Sequence, residues 1–343
     1  MTEMQSALVV GGTGFVGQAL VRALREAGLQ RVRSFDLRAH PDPAVESLVG
    51  DIRDPGQVRQ ACAGIDTVFQ TAALVDWGPR SRARLFAVNV EGNRNVIAAC
   101  QQSAVQRLIY TSSIDVVIGG RAIREGDERM AYAARHLDDY GETKAIAERD
   151  VLRAHDPNGL QTCALRPAGI YGPGDRHRFP PILDAVCAGK MVYLGDGSAR
   201  FNHVYITNLV EAQLAAARAL RPGAAAGGQA YFIVDHPPSN FYDFFTPYLK
   251  ALGHAIPTRR IPRGLAYGLA LLLEGIGRAG IGPQPPLLTR YVVLSTCLEH
   301  SFSAEKARRD LGYQPVVAEE QAFEETLAWL RASEPPCSER GVR

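Results

Sequence analysis

The sequence predicts an α/β protein built on a doubly wound parallel sheet, with a smaller C-terminal lobe interleaved with it. Three observations predict it. Short apolar runs alternate with stretches of helical periodicity through the first half of the chain, which implies parallel strands covered by helices on both faces. A glycine loop, "VVGGTGFVG", falls where the first apolar run meets the first helix. After Gly172 the pattern changes to a loop-like "GPGDRHRFPP" and a remainder richer in Pro and aromatics.

Taken in order, "SALVVG" (6–11) reads as a buried strand. Val16, Leu20, Leu24 and Ala27 then recur at helical spacing, and Gly28 is placed to end that helix. "RVRSFD" (31–36) is a second strand, "GDIRD" (50–54) follows a third, and "DTVFQTAA" (66–73) is a later one. "LFAVNVEGNRNVIAACQ" (85–101) reads as a helix, "VQRLIYTSS" (105–113) as a strand, "YGETKAIAERDVLRAH" (140–155) as a helix and "LQTCALRPAGIYG" (160–172) as a strand. "VYITNLVEAQLAAARAL" (204–220) and "AYFIVD" (230–235) look like a helix and a strand returning to the first layer. The expected division is a dinucleotide-binding domain over 1–172 with 203–235 rejoining it, a substrate lobe from 173–202 and 236–332, and a disordered tail over 333–343.

Composition narrows the function. A formal net charge of +2, with Lys and Arg spread along 343 residues, gives no footprint for nucleic acid. The six cysteines form no C-x-x-C pair, so zinc ribbons and redox dithiols are not expected, and reduced thiols in a cytoplasmic protein are. No metal site is expected. The N-terminus runs almost directly into a strand, without a basic n-region or cleavage site. The apolar run 264–273 is too short to span a bilayer, which takes about 20 residues.

Gly11, Gly14 and Gly17 close the first strand and open its helix. A tight turn needs the first, close approach to a pyrophosphate the second, and helix–sheet packing the third; the helix N-terminus then faces the phosphates. This is the Rossmann arrangement. Asp36 ends the second strand, where a carboxylate can accept hydrogen bonds from an adenosine ribose. The same charge repels a 2′-phosphate, so NAD is favoured over NADP, although Arg38 could soften the choice. Asp51 and Ile52 are as consistent with flanking an adenine as with a simple turn. In "DDYGETK", Tyr140 and Lys144 lie four apart and share one helix face. That spacing alone does not distinguish a reactive pair from a surface turn.

Together, "GGTGFVG", Asp36, "GDIRD", "TAA", "NVEGNRNV", "YTSS", Tyr-x-x-x-Lys and "RPAGIYGPGD" resemble the extended short-chain dehydrogenases/reductases nearly end to end. The resemblance implies that Tyr140 is the acid/base, that Lys144 supplies the charge that tunes it and reaches the nicotinamide ribose, and that Ser113 holds the reacting oxygen. It implies a cofactor surface made by Gly11, Thr13, Gly14, Phe15, Val16, Gly17, Asp36, Arg38, Asp51, Ile52, Thr71, Ala72, Ala73, Asn89, Thr111, Tyr140, Lys144, Pro167, Gly169 and Ile170. Asn89 fits a plain helix-packing residue equally well, and Ser112 and Thr111 read as structural or cofactor-lining. The chemistry agrees: a free phenol with pKa near 10 is a poor base at neutral pH, and a neighbouring ammonium favours its phenolate.

Three stretches point to a branch. "LIYTSSIDVV" is similar to the hydroxysteroid dehydrogenase form of the serine strand, with Ile118 where nucleotide-sugar enzymes carry a tyrosine. Phe201-Asn202-His203 stands where many sugar enzymes have Arg-Asp-aromatic, with Arg200 one residue off. Residues 263–315 resemble the C-terminal lobe of 3β-hydroxysteroid and sterol-4α-carboxylate dehydrogenases, and of 2-alkyl-3-oxoalkanoate reductases. The expected activity is interconversion of a 3β-hydroxyl and a 3-ketone on a steroid or sterol, including a 4α-carboxysterol whose β-keto acid loses CO₂. The alternatives are reduction of a 2-alkyl-3-oxoalkanoate, epimerisation or dehydration of a nucleotide sugar, and non-catalytic sensing of NAD(H). Expected partners are a sterol or long-chain lipid, a membrane surface met through the lobe, and a second copy of the chain. Trp77, Ser113, Phe201 and Leu269 are expected to face substrate, with Leu265, Leu269, Leu272 and Leu273 forming an apolar wall of the pocket. His203 and His236 read as structural.

Overall fold

The computed structural model describes residues 4–76, 82–279 and 288–333. Fifteen strands are present among them: β1 (Ser6–Val10), β2 (Arg31–Asp36), β3 (Glu46–Val49), β4 (Thr67–Gln70), β5 (Arg107–Thr111), β6 (Ile123–Gly126), β7 (Gln161–Pro167), β8 (Gly169–Tyr171), β9 (Tyr193–Leu194), β10 (Arg200–Phe201), β11 (His203–Tyr205), β12 (Gln229–Ile233), β13 (Ser239–Asn240), β14 (Arg260–Ile261) and β15 (His300–Phe302). The α-helices are α1 (Phe15–Glu26), α2 (Pro55–Cys62), α3 (Arg82–Leu85), α4 (Asn93–Gln102), α5 (Asp139–Arg153), α6 (Phe179–Cys187), α7 (Ile206–Ala219), α8 (Phe241–Ala251), α9 (Arg263–Arg278), α10 (Arg290–Cys297), α11 (Glu305–Leu311) and α12 (Glu319–Ser333).

Seven parallel strands form the central sheet in the order β12-β7-β5-β4-β1-β2-β3. β1, β5 and β7 are buried along their whole length, as strands covered on both faces must be, and this explains their continuous apolar runs. The strand order reverses between β1 and β4, which opens a crevice at their carboxyl ends. Register aligns the rim of that crevice: Val10 is opposite Gln70, Gln70 opposite Tyr110, and Thr111 opposite Leu165. α1 seats Leu20, Val21 and Leu24 in the core, each at most 1% exposed. α2 starts where it does because the Asp54 carboxylate caps Gly56 and Gln57 N–H groups and Pro55 holds its first position.

Two short pairings, β8 with β11 and β9 with β14, and a four-stranded sheet ordered β13-β10-β15-β6, lie outside the central sheet. Three segments differ from the sequence reading in detail. The helix expected over 85–101 is α3, a wide π-helical segment Phe86–Gly92, and α4. The strand expected over 160–172 breaks at Ala168, where the chain leaves β12 and Gly169 N–H turns to the carbonyl of Asn202. Residues 203–205 pair with β8 before the helix at 206 begins.

The expectation of reduced cysteines holds at Cys62, Cys100 and Cys163, which are buried and free, and fails at Cys187, which is disulfide-bonded. A spacing test sees only cysteines close in sequence. The apolar residues of α9, expected to form a pocket wall with part of it able to open toward a membrane, divide between two faces. Ala266 and Ala270 face inward at 0% exposure, whereas Leu265, Leu269 and Leu272 are 68%, 42% and 60% exposed. Small residues set the approach of α9 to its neighbours, and the leucines fall on the opposite stripe. Trp77, the glycine- and proline-rich 280–287 and the tail from 334 lie outside the described residues.

Candidate active site

The glycine loop has the shape a dinucleotide needs. Gly11 has φ +84°, and a Cβ on it would lie 2.7 Å from the Ala72 backbone. A Cβ on Gly17 would sit 2.0 Å from the Gly11 carbonyl oxygen, so helix and loop close only with glycine there. Gly14 is the N-cap of α1 with no side-chain capping bond, and no acidic residue occupies the first turn, leaving those N–H groups and the positive helix end for an anion. Thr13, Phe15 and Val16 complete this turn. The Asp36 carboxylate accepts from the N–H of Thr13 at 3.0 Å and of Leu37 at 2.7 Å, which ties the acid to the loop. Arg38 is exposed beside it.

The neighbouring crevice residues are also in place. Thr71 bonds the Val10 carbonyl through Oγ1 at 2.8 Å, setting Ala72 and Ala73 across from the loop. Asp51 is ion-paired with Arg53, and Ile52 is buried against Gly92, where a Cβ would meet it at 2.7 Å. Asn89 accepts from Leu74 N–H at 2.8 Å and donates to the Leu74 carbonyl at 3.0 Å and to Thr143 Oγ1 at 3.1 Å. It therefore clasps the segment after β4 to α5, and the wide helical turn carries it there; such turns recur at functional sites. Pro167, Gly169 and Ile170 follow the end of β7. The residues present fit a dinucleotide.

At the carboxyl end of β5, Ser113 and α5 meet. Tyr140 and Lys144 share one face of α5, and Lys144 is 2% exposed. Its ammonium donates to the Thr111 carbonyl at 2.5 Å and lies 4.2 Å from the Tyr110 ring centre. Burial lowers its pKa to about 7, opposed by Glu148 and Asp115. The Tyr140 phenol is raised above its ordinary value, first by burial and then by the Asp115 and Asp138 carboxylates; a hydrogen bond with Ser113 opposes this. Ser113 Oγ in turn donates to Asp115 at 2.8 Å, and Tyr291 donates to the other oxygen of Asp115 at 3.2 Å. Burial raises Asp115, and burial with Asp115 nearby raises Asp138 to about 7.

Thr111 is held by Gln213 at 2.7 Å. Ser112 bonds Glu148 at 2.5 Å, a structural role. Phe201 lies in β10, against His203 with ring centres 5.4 Å apart. His236 bonds Tyr171 at 2.7 Å, and His203 bonds Arg178 at 2.9 Å. Sequence reasoning missed Asp115, Asp138 and Tyr291. Asp115 stands two residues after Ser113 and Asp138 is a plain N-cap aspartate before α5, so both carried a signal; Tyr291 is remote in sequence and carried none. A cavity of 540 Å³ opens beyond Asp138 and Tyr291, but Arg135, Glu142, Arg149, Glu274 and Arg290 line it, too charged for an apolar ligand.

Fold and site define a short-chain dehydrogenase/reductase of the extended kind. The profile of the 3-beta hydroxysteroid dehydrogenase/isomerase family matches residues 8–263. A 3-beta-hydroxysteroid dehydrogenase from Mycolicibacterium neoaurum is 40% identical over 338 residues, covering 96% of this chain and 92% of that protein. A 3 beta-hydroxysteroid dehydrogenase/Delta 5-->4-isomerase from Mycobacterium tuberculosis is 42% identical over 342 residues, covering 96% and 91%. In fold, the chain is similar to UDP-glucose 4-epimerase of Thermus thermophilus in complex with NAD, with a TM-score of 0.70, 22% identity, and 96% and 99% of the two chains covered. The chain belongs to the 3-beta hydroxysteroid dehydrogenase/isomerase family, and is an NAD(P)-dependent oxidoreductase acting on CH–OH groups.

Proposed function

We propose that the protein interconverts the 3β-hydroxyl and 3-ketone of a steroid or sterol, with NAD preferred. The observation that carries this reading is the meeting of Ser113, Tyr140 and Lys144 at the end of β5, beside the crevice, in a chain of this family. Tyr140 takes the hydroxyl proton on oxidation and returns it on reduction. Lys144, fixed by the Thr111 carbonyl, supplies the positive charge that favours phenolate. Ser113 orients the reacting oxygen. The nicotinamide supplies the hydride acceptor or donor. Asp36 receives the adenosine ribose and disfavours a 2′-phosphate.

Oxidation of a 4α-carboxysterol would give a β-keto acid, which loses CO₂ with the ketone as electron sink and requires no further residue. The sugar reading is disfavoured because Arg200 is engaged with Glu299 at 3.2 Å. A substrate panel with NAD and NADP tests these readings, using 3β-hydroxysteroids, 4-carboxysterols, long-chain β-hydroxy acids and UDP-sugars. Turnover confined to UDP-sugars would overturn the proposal.

The same enzyme is proposed to work at a membrane surface. α9 leaves Leu265, Leu269, Leu271, Leu272 and Ile276 exposed, and Arg259, Arg260 and Arg263 are exposed at its start. An apolar stripe with a basic end suits an anionic bilayer interface. No helix among the described residues is long and apolar enough to cross a membrane.

A further inference from the structure

We propose that Arg178 and His203 form a subsite for the carboxylate of an otherwise apolar alcohol or ketone substrate, an inference that rests on the dehydrogenase reading above. Arg178 Nη1 donates to His203 Nδ1 at 2.9 Å. Among the described residues no carboxylate forms an ion pair with this guanidinium. Its nearest acid in sequence, Asp175, is occupied at the start of α6: one oxygen accepts from the N–H of His177 at 2.8 Å and Arg178 at 3.1 Å, the other from Phe179 at 3.0 Å. Around the cation stand the rings of Phe201, Phe244 and Phe245, with centres 5.8, 5.6 and 5.5 Å from its carbon.

An arginine has no acceptor, so the bond to His203 fixes the imidazole tautomer: Nδ1 accepts and the proton sits on Nε2. That Nε2–H is buried and has no partner among the described residues, on a side chain in a residue 1% exposed. Burial and the Arg178 charge keep the imidazole neutral. The pair thus joins a guanidinium that Asp175 steadies through charge without an ion pair to a buried imidazole N–H with no partner among the described residues, and such a donor is costly to leave unsatisfied. A carboxylate supplies one negative charge and several lone pairs in a planar geometry that a guanidinium matches. A phosphate dianion would exceed the single cation present.

Position relates the pair to the reaction centre. A Cβ on Gly169 would lie 1.9 Å from Arg178 Nη1, so the guanidinium rests against the backbone just past the end of β7. Tyr291, bonded to Asp115 at 3.2 Å, is within electrostatic reach of Arg178. The cation is thus linked to the Ser113–Asp115 edge only through its charge interaction with Tyr291, and the flanking aromatic rings suit an apolar substrate body.

The test uses the full-length enzyme with NAD and acid/methyl-ester pairs: a 4-carboxysterol, a steroid with a side-chain acid, and a long-chain β-hydroxy acid. The expected result is a preference in kcat/KM for the acid over its ester in one pair, about ten- to a hundredfold. That preference should collapse at least about tenfold in Arg178→Gln and partly return in Arg178→Lys. The pair that responds identifies the source of the carboxylate. A non-reactive acid lacking the 3-hydroxyl should raise the wild-type melting temperature more than its ester does, a readout independent of turnover and of any variant's folding. Equal treatment of acid and ester by wild type in both assays, or an equal loss for both in folded Arg178→Gln, overturns the subsite. If neutral 3β-hydroxysteroids are oxidised in that event, the dehydrogenase reading stands alone; if no 3β-hydroxysteroid is oxidised, that reading fails too.

Discussion

The hydroxyl of Ser113 donates to the carboxylate of Asp115 across 2.8 Å, while its oxygen also meets the phenol of Tyr140. An acid two residues along the chain thus sets the direction of the serine hydrogen and places negative charge near the tyrosine. Asp115→Asn keeps the shape and removes the charge. Because a nearby carboxylate opposes phenolate, the phenol pKa should fall in the variant. The acid limb of the kcat–pH profile for alcohol oxidation, where activity rises as the phenol ionises, should then move to lower pH. An unmoved or upward-shifted limb would show that Asp115 does not act on Tyr140 through charge.

Tyr140→Phe should lower turnover about 10²–10⁴-fold. Calorimetric affinity for NAD should change little, since one hydroxyl is lost and the ring remains. Lys144→Ala should reduce both turnover and cofactor affinity. Near-normal turnover in Tyr140→Phe would remove the mechanism.

Asp36→Ala should weaken NAD binding about tenfold and narrow the gap to NADP. The Asp36 bond to Thr13 N–H also steadies the loop, so Asp36→Asn separates charge from geometry: it should retain the loop and still admit NADP. Kd values for both cofactors decide. A wild type that strongly prefers NADP would transfer the deciding role to Arg38.

Arg166 and Glu148 form a buried ion pair at 2.6 Å, with side chains 4% and 0% exposed. Glu148 also accepts from Ser112 at 2.5 Å and Tyr132 at 2.7 Å. Arg166→Met should cost about 3–5 kcal/mol, because it strands a buried carboxylate. Adding Glu148→Gln should recover a large part of that loss. Denaturant unfolding at pH 7 measures both; an additive double variant would argue against direct coupling.

The double variant Leu269→Asp, Leu272→Asp should abolish sedimentation with vesicles containing anionic phospholipid. Wild type should bind them less at high salt, since Arg259, Arg260 and Arg263 contribute through charge. Vesicle binding that survives both changes would place the contact elsewhere.

The strands of the central sheet were legible in sequence because each is a short buried run bounded by helix signals. The glycine loop, Asp36 and the pair Tyr140–Lys144 were legible because their spacing is local. Asn89 was less so: its clasp on Leu74 and Thr143 depends on a wide helical turn that periodicity does not reveal. Which face of α9 packs inward was not legible, because the alanines that do so, Ala266 and Ala270, carry little hydrophobic signal beside the exposed leucines. Arg178 and His203 are 25 residues apart, and only the return of β11 beside β8 brings their surroundings together.

The pairing of β12 with β7 has a consequence for how the protein is born. β7 ends at Pro167, but its outer neighbour is not complete until Ile233 has been added. Ribosomes add about 5–20 residues per second, so for several seconds the nascent sheet presents the unpaired edge of a strand that the finished fold buries throughout. An open edge of that kind invites pairing with other chains. Slow translation across 168–233 would prolong the exposure, and a chain terminated within this interval would carry it permanently.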